Sequence, residues 1–317
     1  MRGKMKFDRT APGGGVEVYC TLQPGKAFLE WKFYVTGCIK GEEQDALIKV
    51  FVYGRDGNLI LEGMQFAQEE ELLKSVLLYP HLWRSSEDPY LYRAEIFLVG
   101  ETGQEDSLSL RIPIRCFRKI QGKGWFLNEE PFRQKAVRYD KNTKEMSEEC
   151  IRRELTCFLD AGANTICIRE PHKQSLIFYE LCEELGLVVW TQGSLGEVNG
   201  ELFKSGGLAT QLFYFYKACW SREPFVYIDS QSLRKERDGN FCITVYSNQE
   251  KVALYIDGTL FEILQSSTEF VFREIPFRTL FLCLTAEAGK CTMSVSVHKT
   301  FTKTSLFHDN YPLECTS

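Results

Sequence analysis

The chain has 317 residues, enough for two or three domains with a sizeable core in each. Its 44% hydrophobic and 26% charged residues match a globular protein. A net charge of −5 with no long Lys/Arg run argues against nucleic acid as a partner, and no apolar run approaches the ~20 residues of a membrane span.

Met1–Thr10 is polar and basic with no apolar centre, so no secretory signal is expected and the chain is read as cytoplasmic. Residues 1–13 read as a loose lead-in. From Val16 the pattern is β. Val16–Cys20 and Phe28–Val35 alternate apolar and polar residues, and Leu47–Tyr53 leads through an Asp56-Gly57 turn into Leu59–Leu61. Leu72–Leu78, Leu91–Val99 and Leu108–Arg115 bring the total to about seven short strands in a hundred residues, the spacing of an immunoglobulin-like sandwich.

The pattern then changes to strand, helix, strand, helix, strand. Ala136–Arg138, Ala163–Ile168 and Leu187–Trp190 are short apolar steps. Ser147–Ala161 carries Ile151, Leu155, Phe158 and Leu159 on one face, with Ser147 as N-cap, Glu148 and Glu149 in its first turn and Gly162 after its end. Gln174–Leu185 repeats the scheme with Ile177, Leu181 and Leu185, closed by Gly186. Such an order predicts a parallel sheet. Thr191–Leu212 is a stretch of Gly, Ser and scattered apolar residues. Val226–Asp229 and Phe241–Val297 are β again, with an Asp257-Gly258 hairpin turn.

Six stretches carry a family resemblance. Pro80-His81-Leu82-Trp83, continuing to Pro89-Tyr90-Leu91-Tyr92, resembles the loop that enters the last strands of the immunoglobulin-like domain in glycoside hydrolase family 2, which includes β-galactosidases and β-glucuronidases. Gly124–Phe132 is similar to the hairpin that opens that family's catalytic barrel. Tyr179–Val189 resembles the family's second barrel helix and third strand. Phe213–Pro224, followed by Thr244–Asn248 and Val252–Gly258, resembles the segment after the barrel and the sandwich that follows it.

The resemblance implies a multidomain α+β chain in which two immunoglobulin-like β-sandwiches flank a truncated (β/α)8 barrel remnant. The expected domains are 14–117, a sandwich; 118–212, a partial barrel of about three strands and two helices; 213–300, a second sandwich; and 301–317, a tail. Two family parts have no counterpart: a jelly-roll domain before Val16, and the second half or more of the barrel between Trp190 and Phe213. A full barrel takes about 250 residues, and Trp125–Leu212 is far too short for one.

Family members cleave with retention, using two glutamates ~5–5.5 Å apart. The resemblance places these on the fourth and seventh barrel strands, so no catalytic residue is assigned here. Asn128-Glu129 and Glu201 lie outside any such strand. The three strand ends that remain have drifted from the family pattern, and only Arg138 matches it. The weak candidate pocket is Arg138, Asp140, Arg169, Glu170, His172 and Gln192, on the edge where α/β sheets bind ligands. Glu170 and His172 would form an acid/base pair; the alternative is a solvated edge with incidental ion pairs. Trp190 and Trp220 are candidates for stacking on a sugar, against a role in packing.

Twelve cysteines with no Cys-x-x-Cys pair and four histidines argue against a metal site. Cys167, Cys182, Cys242 and Cys283 are read as small buried hydrophobes in a reducing compartment. No cofactor is expected. An incomplete barrel leaves open strand edges and an uncovered inner face, so the flanking sandwiches or a second copy of the chain are expected to cover it. The reading is a family-2-like protein that is inactive by itself; the alternative is a carbohydrate-binding or scaffolding module.

Overall fold

The computed structural model describes residues 5–37, 46–67, 72–100, 103–191, 202, 209–236, 240–276 and 279–298. The expected tail 301–317 and candidate Gln192 fall outside them. The chain is mostly β, with three α-helices among the described residues. None of these helices is long and apolar enough to cross a membrane. Two compact units divide the chain: Met1–Thr156 with Asn164–Glu197, and Cys157–Ala163 with Val198–Ser317.

The first unit begins with β1 (Lys6–Phe7), β2 (Val16–Gln23), β3 (Lys26–Phe33), β4 (Val35–Thr36), β5 (Leu47–Tyr53), β6 (Leu59–Phe66), β7 (Leu73–Leu78), β8 (Leu91–Gly100) and β9 (Gly103–Pro113). Sheets ordered β2-β3-β7 and β6-β5-β8-β9 are antiparallel throughout. Period-two alternation decides which face is apolar: Ile48, Val50 and Val52 are buried while Lys49 and Tyr53 between and beyond them are partly exposed. Leu29, Trp31 and Leu77 from one sheet share a core with Val50, Val52, Ile96 and Leu98 from the other.

Of the expected loose lead-in, the described residues from Met5 onward are ordered against the sandwich. β1 pairs with β4, and Phe7 is buried in the core. Arg9 forks onto Asp106, with Nη1 to Oδ2 at 2.7 Å and Nη2 to Oδ1 at 3.0 Å, and Phe7 N donates to Asp106 Oδ2 at 2.8 Å. One buried aromatic and one bidentate ion pair hold a segment whose composition looks unstructured.

Next come β10 (Phe117–Ile120), β11 (Gly124–Leu127) and β12 (Glu130–Pro131), an antiparallel meander. The β11–β12 turn is the two-residue Asn128-Glu129, both at positive φ (51° and 72°) as a primed hairpin turn requires. Then come β13 (Ala136–Arg138), α1 (Glu148–Asp160, whose residues from Cys157 on are grouped with the second unit), β14 (Thr165–Cys167), α2 (Leu176–Leu185) and β15 (Val188–Trp190). Strands β13-β14-β15 are parallel in that order, as expected from the alternation of strands and helices. Ser147 Oγ accepts from Cys150 N at 3.3 Å, so the predicted N-cap forms.

Residues of the same chain pack on the short parallel sheet. Thr165, Ile166 and Cys167 are buried, so β14 is enclosed on both faces within one chain. Val188 and Trp190, which share a face of β15, pack against Trp83, Leu127, Phe117 and Phe132. Trp190 lies edge-on to Phe117 at 6.0 Å and to Trp125 at 4.1 Å between ring centroids. The opening hairpin therefore serves as the lining of the short sheet.

The second unit holds α3 (Gln211–Trp220), β16 (Val226–Lys235), β17 (Phe241–Ser247), β18 (Lys251–Ile256), β19 (Thr259–Gln265), β20 (Glu269–Ile275), β21 (Phe281–Ala288) and β22 (Cys291–His298). Sheets β16-β17-β20 and β19-β18-β21-β22 share a core around Val245, Phe270, Phe272, Leu254 and Leu284. Helix α3 was not anticipated, because its run of Phe and Tyr shows no clean 3.6-residue stripe. Cys283 is exposed rather than buried, since alternation along β21 turns Leu282 and Leu284 inward and Cys283 out. Cys167, Cys182 and Cys242 are buried as read.

Candidate functional site

The C-terminal ends of β13 and β14 carry the candidate residues. Arg138 Nε lies 3.0 Å from Asp140 Oδ2, a pair in partial solvent contact. Tyr139 between them turns the other way. It is buried, stacks on Phe178 with centroids 5.4 Å apart, and donates to Glu154 Oε2 at 2.9 Å. Burial first, and the Glu154 charge second, push its phenol well above the ordinary range. Lys141 Nζ also meets Glu154, at 2.5 Å. The position after Arg138 is thus spent on anchoring the strand to α1.

Arg169 and Glu170 follow β14 and are exposed. Glu170 Oε2 accepts from Lys173 Nζ at 2.7 Å, while His172 Nε2 stands 3.8 Å from Glu170 Oε1 with 74% of its side chain exposed. The Lys173 hydrogen bond lowers the Glu170 carboxyl below its ordinary value. A general acid requires the opposite shift, toward the working pH. Arg138 is linked to Asp140 and Glu170 to Lys173 and His172, and no contact joins the two groups in the described residues.

Two loops of this edge are tied by a cluster that the sequence reading missed. Thr143, buried after β13, donates through Oγ1 to Gln174 Oε1 at 3.0 Å, and Ser175 N donates back to Thr143 Oγ1 at 2.8 Å. Gln174 Nε2 reaches Lys141 O at 2.9 Å. Buried hydroxyl and amide groups with partners fix loops in one arrangement.

The aromatic candidates are packed. Trp190 is half-buried in the Phe117/Trp125/Phe132 box, and its indole N–H, buried there, meets no acceptor among the described residues. In the second unit Trp220 lies against Tyr216, centroids 4.6 Å apart, and a Cβ on Gly162 would stand 2.8 Å from Trp220.

A further set of polar contacts lies where the first sandwich meets α2. Trp83 is fully buried, its Nε1 donating to Glu183 O at 2.8 Å. Ser85 Oγ donates to Gly186 O at 2.7 Å. The Arg115 guanidinium lies 4.3 Å above the Trp83 ring and donates to Glu183 Oε1 at 3.0 Å. Burial lowers Arg115 and raises Glu183, and the opposite charge offsets each shift. Arg111 and Arg152 both reach Glu184, at 2.6 Å each. Asn128 joins the hairpin to the sandwich, accepting from Cys116 N at 2.9 Å and donating to Trp83 O at 2.8 Å.

No protein-family model matches the chain. A β-glucuronidase of Bacteroides fragilis is 25% identical over 126 residues, 38% of this chain and 18% of that protein. Among solved structures, the FMN-binding β-glucuronidase from Facaelibacterium prausnitzii L2-6 superposes with a TM-score of 0.78 at 15% identity, covering 95% of this chain and 76% of its own. A putative β-galactosidase from Bacteroides fragilis gives a TM-score of 0.73 at 13% identity, covering 92% and 74%. A glycosyl hydrolase family 2 member from Bacteroides cellulosilyticus DSM 14838 gives 0.68 at 12% identity, covering 92% and 63%.

The fold resembles that of these β-glycosidases, one of them a glycoside hydrolase family 2 member. This family-2-like chain is shorter than the proteins it matches, and spans less than a fifth of the curated relative. Three of the stretches that resemble the family, Pro80–Tyr92, Gly124–Phe132 and Tyr179–Val189, supply Trp83, Ser85, Asn128, Glu183, Glu184 and Gly186 to the sandwich–α2 junction. The motifs that made the family legible are therefore packing motifs.

Proposed function

We propose that the chain is a catalytically incomplete relative of the family-2 β-glycosidases. Its proposed domains are an immunoglobulin-like sandwich at 14–117, about the first third of a (β/α)8 barrel at 118–212, and a second immunoglobulin-like sandwich at 213–300. The observation that carries this reading is the three-strand parallel sheet β13-β14-β15 with helices α1 and α2 between its strands. Closing a (β/α)8 barrel takes eight such strands. The two glutamates implied by the resemblance would stand on strands four and seven, which have no counterpart in the sequence.

The charged strand ends support the same reading. Arg138, Asp140, Arg169, Glu170 and His172 serve as a solvated edge rather than as a pair of carboxylates across a glycosidic bond. Trp190 and Trp220 serve in packing. Along the outer edges of β13 and β15 a second copy of the chain is the proposed cover, and sedimentation of a stable monomer would count against that. The buried thiols Cys167, Cys182 and Cys242 fit a reducing, cytoplasmic setting; recovery of the protein outside the cytosol would overturn it.

The test is hydrolysis of chromogenic β-galactoside, β-glucuronide, β-mannoside and β-glucoside by the purified chain. The expected outcome is no turnover above the buffer rate. Turnover that survives repurification and falls with Glu170→Gln or Glu201→Gln would place a reassembled carboxylate pair in this chain and sink the proposal.

A further inference from the structure

Tyr79 closes β7 with φ at 45°, in the left-handed region that a bulky side chain enters at a cost of ~1–3 kcal/mol. The residue is 87% exposed. Its backbone N–H donates to Gly25 O at 2.7 Å, which fixes the strand end on the β2–β3 turn. The ring edge rests on that turn: a Cβ built on Gly25 would lie 3.3 Å from Tyr79 Cε1. An exposed aromatic side chain thus stands beside the β2–β3 turn.

Beside it opens a cavity of about 270 Å³. Leu22, Pro80 and Leu82 give it an apolar lining, and Leu22 and Leu82 are themselves packed on the sandwich core. Gln23 and Lys26, both exposed, supply an amide and an ammonium beside the ring. Drug-sized sites start near 300 Å³, so the space suits one small unit. A stable protein partner would cover on the order of 800 Å², far beyond one ring and one small cavity.

We propose that Tyr79 and this cavity form a carbohydrate-binding subsite on the first sandwich. A pyranose ring lays its apolar C–H face on Tyr79, and its hydroxyls reach Gln23 and Lys26. Tyr is suited to this because it offers an apolar face and a polar tip with little entropy to lose. The subsite needs no barrel strand, so it stands apart from the reading of lost hydrolysis.

The experiment is affinity electrophoresis of the full chain through gels holding mixed-linkage β-glucan, galactomannan or polygalacturonate, beside a gel without polysaccharide. The expected result is retardation of the wild type by at least one of them. Tyr79→Ala should weaken that retention about tenfold, the worth of one stacked ring. Tyr79→Trp should keep it. Tyr79 is exposed, so Tyr79→Ala should melt no lower than the wild type, which separates lost binding from lost folding. Retention unchanged in Tyr79→Ala, or removed by Trp190→Phe instead, would overturn the proposal. So would a wild type that none of the three polysaccharides retards. None of these outcomes bears on the hydrolysis test.

Discussion

The first unit contains two polar regions of opposite character. At the sandwich–α2 junction, Trp83, Ser85, Arg115 and Asn128 each reach a specific partner, and two of those partners are backbone carbonyls of α2 and its cap. At the C-terminal ends of β13 and β14, Arg138 with Asp140 and Glu170 with Lys173 make ion pairs in partial contact with water, and the exposed His172 stands beside Glu170. Buried, geometrically fixed hydrogen bonds resist change because losing one partner strands the other. Exposed ion pairs contribute little and are readily replaced. The contrast teaches that the features marking this chain as family-2-like are those that hold elements together, whereas the edge expected to bear chemistry is held loosely.

The sharpest way to break this comparison is Gly186→Ala. Gly186 caps α2 at φ 80°, and a Cβ there would lie 2.4 Å from the Ser85 carbonyl oxygen. Strain and overlap together should cost about 3 kcal/mol or more in urea unfolding; a loss under about 1 kcal/mol would mean that the junction yields easily. Asn128→Ala comes next. It removes two hydrogen bonds at a left-handed position and should cost about 2 kcal/mol by thermal or chemical melting.

Asp106→Asn probes the strap of the first residues onto β9. Arg9, and the N–H groups of Phe7 and Ser107, hold the Asp106 carboxyl at about 2, below its ordinary value. A depressed carboxyl stabilises the fold above the unfolded-state value and loses that contribution as the pH falls. The difference in melting temperature between wild type and Asp106→Asn should therefore be full above about pH 4 and shrink toward pH 2. A difference that does not change over this window would show that the carboxylate is not the anchor. At the small end, Glu170→Gln at the strand edge should leave the unfolding midpoint where it is, and a clear drop would move this residue into the structural class.

Much of the fold was legible because period-two alternation reports directly on half-buried strands. Strands β2, β3 and β5 to β9 fall close to where the pattern puts them, as do β13 to β15 with α1 and α2 between them. Less legible were the elements whose placement depends on distant partners. Lys6–Phe7 forms a strand because Val35–Thr36 and Asp106 are there to receive it. Gln211–Trp220 is helical although its aromatics mark no single face. For the candidate site, the sequence supplied Arg138, Glu170 and His172 as residues near strand ends, but not that Tyr139 would turn toward Glu154, nor that Thr143 and Gln174 would tie the two loops.

The order of strands and helices, the faces they bury and the family they resemble follow from local periodicity and short motifs. Only the tertiary structure decided how the short parallel sheet is covered. Its lining comes from Phe117, Trp125 and Phe132, residues far from β15 in sequence that reach Trp190 through the β10–β11–β12 meander. Burial is a property of neighbours in space, and no pattern along the chain records which neighbours those will be.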